Sequence, residues 1–336
     1  MSEGLRYLSA DDVTAAMPEM AARLALAERT MVALVRDAEL PPKIGVHPRP
    51  SGSFAHAMPA LLRPFGEDRT AADDLLGIKW VTGSPGNRSA GLPAIHAVVI
   101  VSDPQTGVPR AILDGGPITA ERTAAVSAVA ISRFAPAGAR RAAIIGAGVQ
   151  GRSHLEALGH VLPGVEVAIH DRHLDRAESI AEAARNTLGI AAAEAVADAR
   201  TAVTGADVLV TAASFTTPER RGVLTGEWLT RNALVVAVDY ATMVAPSVAR
   251  DAALFLVDDV AQFVANRDAG QFDGYPDPGA SLGEAILAGV ERPARGRVLV
   301  SHLGVGLADI VFADAIVRRA EAAGLGTVLG TRGPRR

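Results

Sequence analysis

The apolar run "RAAII" at residues 141–145 stops at Gly146 and continues as Gly146-Ala147-Gly148-Val149-Gln150-Gly151. A buried strand that meets three glycines in this spacing, followed by text free of helix breakers as far as Gly159, has few ways to fold. The first glycine permits a tight turn, the second lets the backbone approach a ligand, and the third lets helix and strand pack closely. The helix that begins there presents unpaired N–H groups, which suit a pyrophosphate. The competing interpretation is a tight structural turn in an unrelated α/β domain. The preceding strand, the breaker-free stretch and an acid together favour the dinucleotide: Asp171 ends the next apolar run, 20 positions after Gly151. A carboxylate there accepts from ribose hydroxyls and repels a 2′-phosphate. NAD(H) is the expected cofactor. NADP(H) is the second choice, because Arg172 follows directly and is either a phosphate partner or a solvated loop charge.

From residue 141 onward, short apolar runs alternate with helical text: "VEVAIHD", "ADVLVTAAS", "ALVVAVD", "ALFLVDD" and "RVLVSHLG". That rhythm predicts a parallel doubly wound α/β sheet. The text before it differs. Ser9-x-x-Asp12 caps a helical pattern that runs to about 38 and stops at Pro41-Pro42. Residues 43–75 read as loops and short strands. "LLGIKWVTG" (75–83) reads as a strand and residues 94–116 as a hairpin turned at "DPQTG". An Ala-rich helix covers 119–135, and an amphipathic helix covers 307–324. With 336 residues, two domains are expected. A net charge of −4 gives no drive toward nucleic acid or an anionic membrane. The absence of cysteine excludes disulfides, thiolate metal sites and a thiol nucleophile. The eight histidines are scattered with no H-x-x-x-H pair, so no metal is expected. With no signal-like start or long apolar run, the chain reads as a cytoplasmic enzyme.

Four charged residues interrupt apolar text. Lys43 sits in "PPKIGVHP", Lys79 between Ile78 and Trp80, Arg122 at the start of the Ala-rich helix, and Asp239 at the end of "ALVVAVD". A lysine in such a setting must find a partner or be desolvated at a cost. Each also reads as a structural ion pair or, for Asp239, a loop cap. Asp239 falls at a strand's carboxyl end, where open sheets bind ligands.

Between residues 77 and 151 stand K-x-V-x-x-x-P-x-N, G-L-P, D-x-x-T-G-x-P, T-x-x-R-T-A-A-x-S and the glycine loop, in that order. Together they resemble the ornithine cyclodeaminase/mu-crystallin family over about 75 residues. The resemblance implies a dinucleotide-binding (Rossmann-type) domain over 126–309. It implies an α+β substrate and dimerisation domain made of 1–125 and 310–336, hence a homodimer. It also implies hydride transfer between a nicotinamide and the α-carbon of a small amino or imino acid. Lys79 and Arg122 match residues that hold the substrate carboxylate, and Lys43 falls where a further carboxylate-binding arginine stands. Asp239 matches an acid that handles the amine or a proton, which makes Lys79 and Asp239 the catalytic candidates. Met58 matches a Met-Pro near the substrate. Thr123, Val149 and Gln150 join Gly146, Gly148, Gly151, Asp171 and Arg172 in the cofactor-binding set.

The departures bear on substrate. Ala94 replaces a family threonine, His302 stands within Ser301-His302-Leu303-Gly304, and "YATMVAP" follows Asp239. These argue against ornithine. His302 is either a substrate-binding residue or a satisfied structural histidine, and His47, Arg49 and His56 line a pocket or lie on the surface. The expected function is an NAD(H)-dependent oxidoreductase at a carbon–nitrogen bond: an imine reductase, an amino acid dehydrogenase or an opine-type enzyme. The alternatives are a redox-neutral cyclodeaminase that recycles NAD and a non-catalytic protein that holds NAD(P)H and a ligand.

Overall fold

A computed structural model of the chain describes residues 4–64 and 73–330. The outer ends of the expected substrate domain and part of the expected loop region lie outside the described residues. Two compact units form: Met1–Arg122 with Val305–Arg336, and Thr123–Gly304.

The first unit is built on one sheet. Its strands are β1 (Gly4–Leu8), β2 (Ala38–Glu39), β3 (Ile44–Val46), β4 (Phe54–Leu62), β5 (Leu75–Gly83), β6 (Ile95–Ser102) and β7 (Pro109–Asp114), with β16 (Thr327–Gly330) from the far end of the chain. The order is β16-β1-β7-β6-β5-β4-β2, and β3 also pairs with β4. Only β1 and β7 run parallel; the other pairs are antiparallel. The hairpin between β6 and β7 turns where "DPQTG" predicts it. Asp103 Oδ1 accepts from the N–H groups of Gln105 and Thr106 at 3.1 and 2.8 Å, and Gly107 adopts φ 73°, a left-handed turn position suited to glycine.

Two helical expectations need correction. The pattern from Ser9 to 38 forms two helices, Ala10–Ala15 and Met20–Arg36. Pro18 separates them, because it has no N–H to donate and pushes Met17 out of the helical region. Ser9 caps the first helix with Asp12 in a capping box. The last helix, Gly306–Ala323, is not amphipathic in its first half, where every residue from Gly306 to Asp314 is buried. It lies against the inner face of the sheet. Gly77 and Gly306 permit that approach: a Cβ at Gly77 would stand 2.5 Å from the Ile100 carbonyl oxygen and 3.1 Å from Ile310, and one at Gly306 would stand 2.7 Å from the Met58 carbonyl oxygen.

The second unit is a fully parallel sheet of β8 (Arg141–Ile145), β9 (Val165–His170), β10 (Ile190–Ala195), β11 (Val208–Thr211), β12 (Leu234–Ala237), β13 (Leu254–Val257), β14 (Ala280–Ser281) and β15 (Val298–Ser301). Its order is β10-β9-β8-β11-β12-β15-β13-β14. The winding reverses between β8 and β11, so a crevice opens at their carboxyl ends. β8, β11, β12 and β15 are buried almost throughout, as strands covered on both faces must be.

The glycine loop sits at that crevice. Gly146 adopts φ 109°, and a Cβ there would stand 2.4 Å from the Ala212 carbonyl oxygen beyond β11. Gly146→Ala therefore meets both backbone strain and a backbone clash, together worth about 1–3 kcal/mol. Urea denaturation should show a lower midpoint with an unchanged slope. A midpoint equal to the wild type would contradict the loop geometry.

Candidate functional site

In the first unit, alternation along β5 turns Leu75, Gly77, Lys79 and Val81 inward. Lys79 is 1% exposed. Its ammonium donates to Asp309 Oδ1 at 2.8 Å and to Thr119 Oγ1 at 2.7 Å. Thr119 and Arg122, three apart on the helix Gly115–Phe134, share a face. Arg122 Nε donates to the same Asp309 oxygen at 3.3 Å. Two buried cations thus share one buried carboxylate, leaving one positive charge in excess. Burial pulls the Lys79 ammonium down to about 8, with Arg122 and Lys43 adding to the shift and Asp309 opposing it. Such a cluster is ready for an anion, and a carboxylate is the natural guest of a guanidinium.

Sequence reasoning picked out Lys79 and Arg122 but missed Asp309 and Thr119. The signal for Asp309 was an acid inside the apolar stretch "GLADIVFA", which a buried helix tolerates only beside a cation. Lys43 is half-buried, one residue before β3. Met58 is buried with Val81 and Ala97 and pairs with Lys79 across β4 and β5.

In the second unit, the loop's glycines have the roles their spacing predicts. A Cβ at Gly148 would meet nothing within 4 Å, whereas one at Gly151 would stand 2.1 Å from the Gly146 carbonyl oxygen. Gly148 is the N-cap of the helix Val149–Val161, with no side-chain cap. The first-turn N–H groups, beside an open approach, fit a pyrophosphate. Asp171 Oδ2 accepts from Ala147 N at 2.8 Å and Oδ1 from His173 N at 2.9 Å, which ties the acid to the loop. Val149 and Arg172 are exposed, Gln150 is half-buried and Thr123 is buried. These residues fit a dinucleotide.

Asp239 lies just beyond β12 and is 2% exposed. Oδ1 accepts from Thr211 Oγ1 at 2.8 Å and Oδ2 from Ala213 N at 3.0 Å. Burial raises it to about 7 in spite of both bonds, so it exchanges a proton near neutrality. The next residue, Tyr240, has φ 58°, a strained position for a bulky side chain. Its ring lies 5.7 Å from that of Phe272, stacked, and 5.2 Å from that of Phe215, edge-on.

His302 is 2% exposed and bonded to Ser127, its Nε2 lying 2.9 Å from Ser127 Oγ. Ser127 Oγ also lies 2.7 Å from His154 Nε2, and His154 Nδ1 lies 2.6 Å from the Gln150 carbonyl oxygen. A carbonyl only accepts, so the proton of His154 is on Nδ1. Ser127 then donates to His154 and accepts from His302. Burial lowers His154 to about 4, which keeps it neutral. The chain of bonds braces the first turn of the cofactor-loop helix. No group of metal-ligating residues occurs among the described residues, and no described helix is long and apolar enough to cross a membrane.

Residues 10–323 match the profile of the ornithine cyclodeaminase/mu-crystallin family. The chain is 34% identical over 331 residues to the nodulation efficiency protein NfeD of Rhizobium meliloti, covering 97% of this chain and 98% of that one. It is 31% identical over 252 residues to the ketimine reductase mu-crystallin of Mus musculus, covering 74% and 77%. Among solved structures, the Thermococcus litoralis Delta(1)-pyrroline-2-carboxylate reductase in complex with NADH and L-proline superposes with a TM-score of 0.83 at 27% identity, over 96% of this chain and 99% of that one.

The raised Asp239 carries a stability signature. Between about pH 4 and 7 the folded chain keeps a proton there that the unfolded chain releases. Stability from this group therefore falls as pH rises through that window. Wild type should lose on the order of a few kcal/mol relative to Asp239→Asn across it. Parallel urea-derived stability curves for the two proteins would contradict the assignment.

Proposed function

The chain belongs to the ornithine cyclodeaminase/mu-crystallin family, and from that premise we propose that it is an NAD(H)-dependent oxidoreductase that reduces the imine of a small α-imino acid or oxidises the matching amine. The observation that carries this reading is the pair of buried cations, Lys79 and Arg122, on the single carboxylate of Asp309. Their excess positive charge takes the substrate's carboxylate, with the guanidinium fixing its plane and Lys43 adding charge. Gly146, Gly148 and Gly151 shape the phosphate site, with Val149, Gln150 and Thr123 in the same set, and Asp171 takes the ribose hydroxyls. A carboxylate at that place favours NAD(H) over NADP(H). Held by these residues, NADH would supply the hydride for the imine carbon. Asp239, poised near neutrality, gives a proton to the nitrogen and recovers it in reverse. Lys79, lowered by burial, is a second carrier for that proton. The reading places the chain in the cytoplasm, where a nicotinamide pool is available.

A homodimer belongs to the same reading. The face of the first unit's sheet opposite Lys79 carries Ile78, Trp80, Val98, Ile100, Ile112 and Tyr7, brought into neighbouring rows by the strand register. Trp80 is 44% exposed, Tyr7 44% and Val98 39%. An outer antiparallel face is ordinarily polar, and a contiguous apolar one marks an interface. A second copy meets it by isologous contact. Trp80→Glu should shift the mass seen by light scattering from dimer to monomer. A wild-type monomer, or a variant dimer of unchanged stability, would overturn this assignment.

The function is tested by NADH oxidation with 2-oxo acids plus ammonia or a small amine, and with cyclic imines. Turnover in this panel is expected. A protein that neither binds NADH nor reduces any of them would refute the reading. Arg122→Ala should lower kcat/KM by about 100-fold or more, on the order of 3 kcal/mol, and leave NADH affinity near wild type. Unchanged activity would remove Arg122 from the substrate grip.

A further inference from the structure

In the second unit, Tyr240 stands next to Asp239 and between two other aromatic rings. Among the described residues it is the one non-glycine residue with a positive φ, 58°. A bulky side chain keeps such a backbone only where its surroundings fix it, and functional sites are where this strain collects. Phe272 stacks on the Tyr240 ring at 5.7 Å and 20°, and Phe215 meets it at 5.2 Å and 89°. In a T-shaped pair the edge of one ring meets the face of the other, so at least one face of Phe215 stays clear of Tyr240. Phe272 is buried, whereas Phe215 is 61% exposed.

A single exposed apolar residue is ordinary on a protein surface, but Phe215 stands on a loop that is tied on both sides of it. Two residues earlier, Ala213 N donates to Asp239 Oδ2 at 3.0 Å. One residue later, the Thr216 carbonyl oxygen accepts from Arg221 Nε at 3.4 Å, and Arg221 Nη1 donates to the Gly270 carbonyl oxygen at 3.2 Å. The loop is therefore anchored to the acid beyond β12 and to the segment that carries Phe272. An apolar ring held open to water in this way forgoes burial, which a ligand with a flat apolar face would restore.

Strand order says which part of a dinucleotide comes near. β9 and β11 lie on opposite sides of β8. With the pyrophosphate on the glycine loop after β8 and the adenosine ribose at Asp171 after β9, the other nucleotide runs over the carboxyl ends of β11 and β12. Phe215 stands beyond β11, which ends at Thr211, and Tyr240 beyond β12, which ends at Ala237. Resting on the function proposed above, we infer that Phe215 is a further cofactor-binding residue: its open face packs against the nicotinamide ring, and Tyr240 sets its plane. A flat heteroaromatic ring is a natural partner for an open aromatic face.

Calorimetric titration of the full-length protein with NADH and with ADP-ribose, the dinucleotide without its nicotinamide, tests this. Phe215→Ala should weaken NADH binding about fivefold or more and leave ADP-ribose binding near wild type. Phe215→Tyr keeps the ring and should restore NADH affinity. Phe215 is exposed, so its removal leaves no cavity, and a general defect of the loop would weaken both ligands alike. Unchanged NADH affinity in Phe215→Ala, or equal losses for NADH and ADP-ribose, would overturn the inference and leave the proposed function standing. A wild type that binds neither ligand would refute both. Selective loss of NADH in Phe215→Ala, with no turnover of any imine or oxo acid by the wild type, would keep the ring contact and remove the reductase reading.

Discussion

The carboxylate of Asp309, shared by Lys79 and Arg122, is the contact on which the proposed carboxylate site depends. A lysine that is 1% exposed has lost its hydration, and an ion pair in such a place is favourable only with close geometry. That geometry comes from glycine. Gly77 in β5 and Gly306 at the helix start let the helix Gly306–Ala323 lie close enough to the sheet for Asp309 to reach Lys79 at 2.8 Å. At a separation near 4 Å and an effective dielectric constant near 20, such a pair is worth about 4 kcal/mol of Coulomb energy. Desolvation offsets much of it, and the lysine is left near 8. A second cation on the same oxygen leaves the cluster incomplete as an ion pair, which is why the proposed function assigns a carboxylate to it.

The second unit applies the opposite displacement to an acid. Asp239 is drawn up to about 7 by burial, although Thr211 and Ala213 both favour its charged form. A lysine moved down and an aspartate moved up approach neutrality from two directions, the pattern expected of groups that exchange protons at ordinary pH. Under the proposed function, the antiparallel unit's cations would hold a carboxylate, and the parallel unit's glycine loop and Asp239 would hold the dinucleotide and a proton.

What the sequence disclosed depended on how local each feature is. The glycine loop is contiguous, so its turn, its open approach and its close packing were legible from six residues. Lys79 stood out because Ile78 and Trp80 flank it. Asp309 did not, since its partner lies 230 positions away and only the fold joins them. The same holds for Ser127, His154 and His302, whose bonds span 27 and 175 positions. The break at Pro18 was hidden by an apolar periodicity that continues across it. β16 was missed because four residues after a glycine-rich turn carry little pattern of their own, and antiparallel pairing with β1 supplies what propensity does not.

The proposed function needs a desolvated lysine that takes up an anion, and its most direct measurement is the titration of Lys79 itself. Carbon-13 NMR of the protein labelled at lysine Cε, with Lys79→Arg to assign the resonance, reports that titration. A midpoint near 8, moving upward when pyruvate is added, is the predicted result. A midpoint at the ordinary lysine value of about 10.4, indifferent to any carboxylate, would contradict the account.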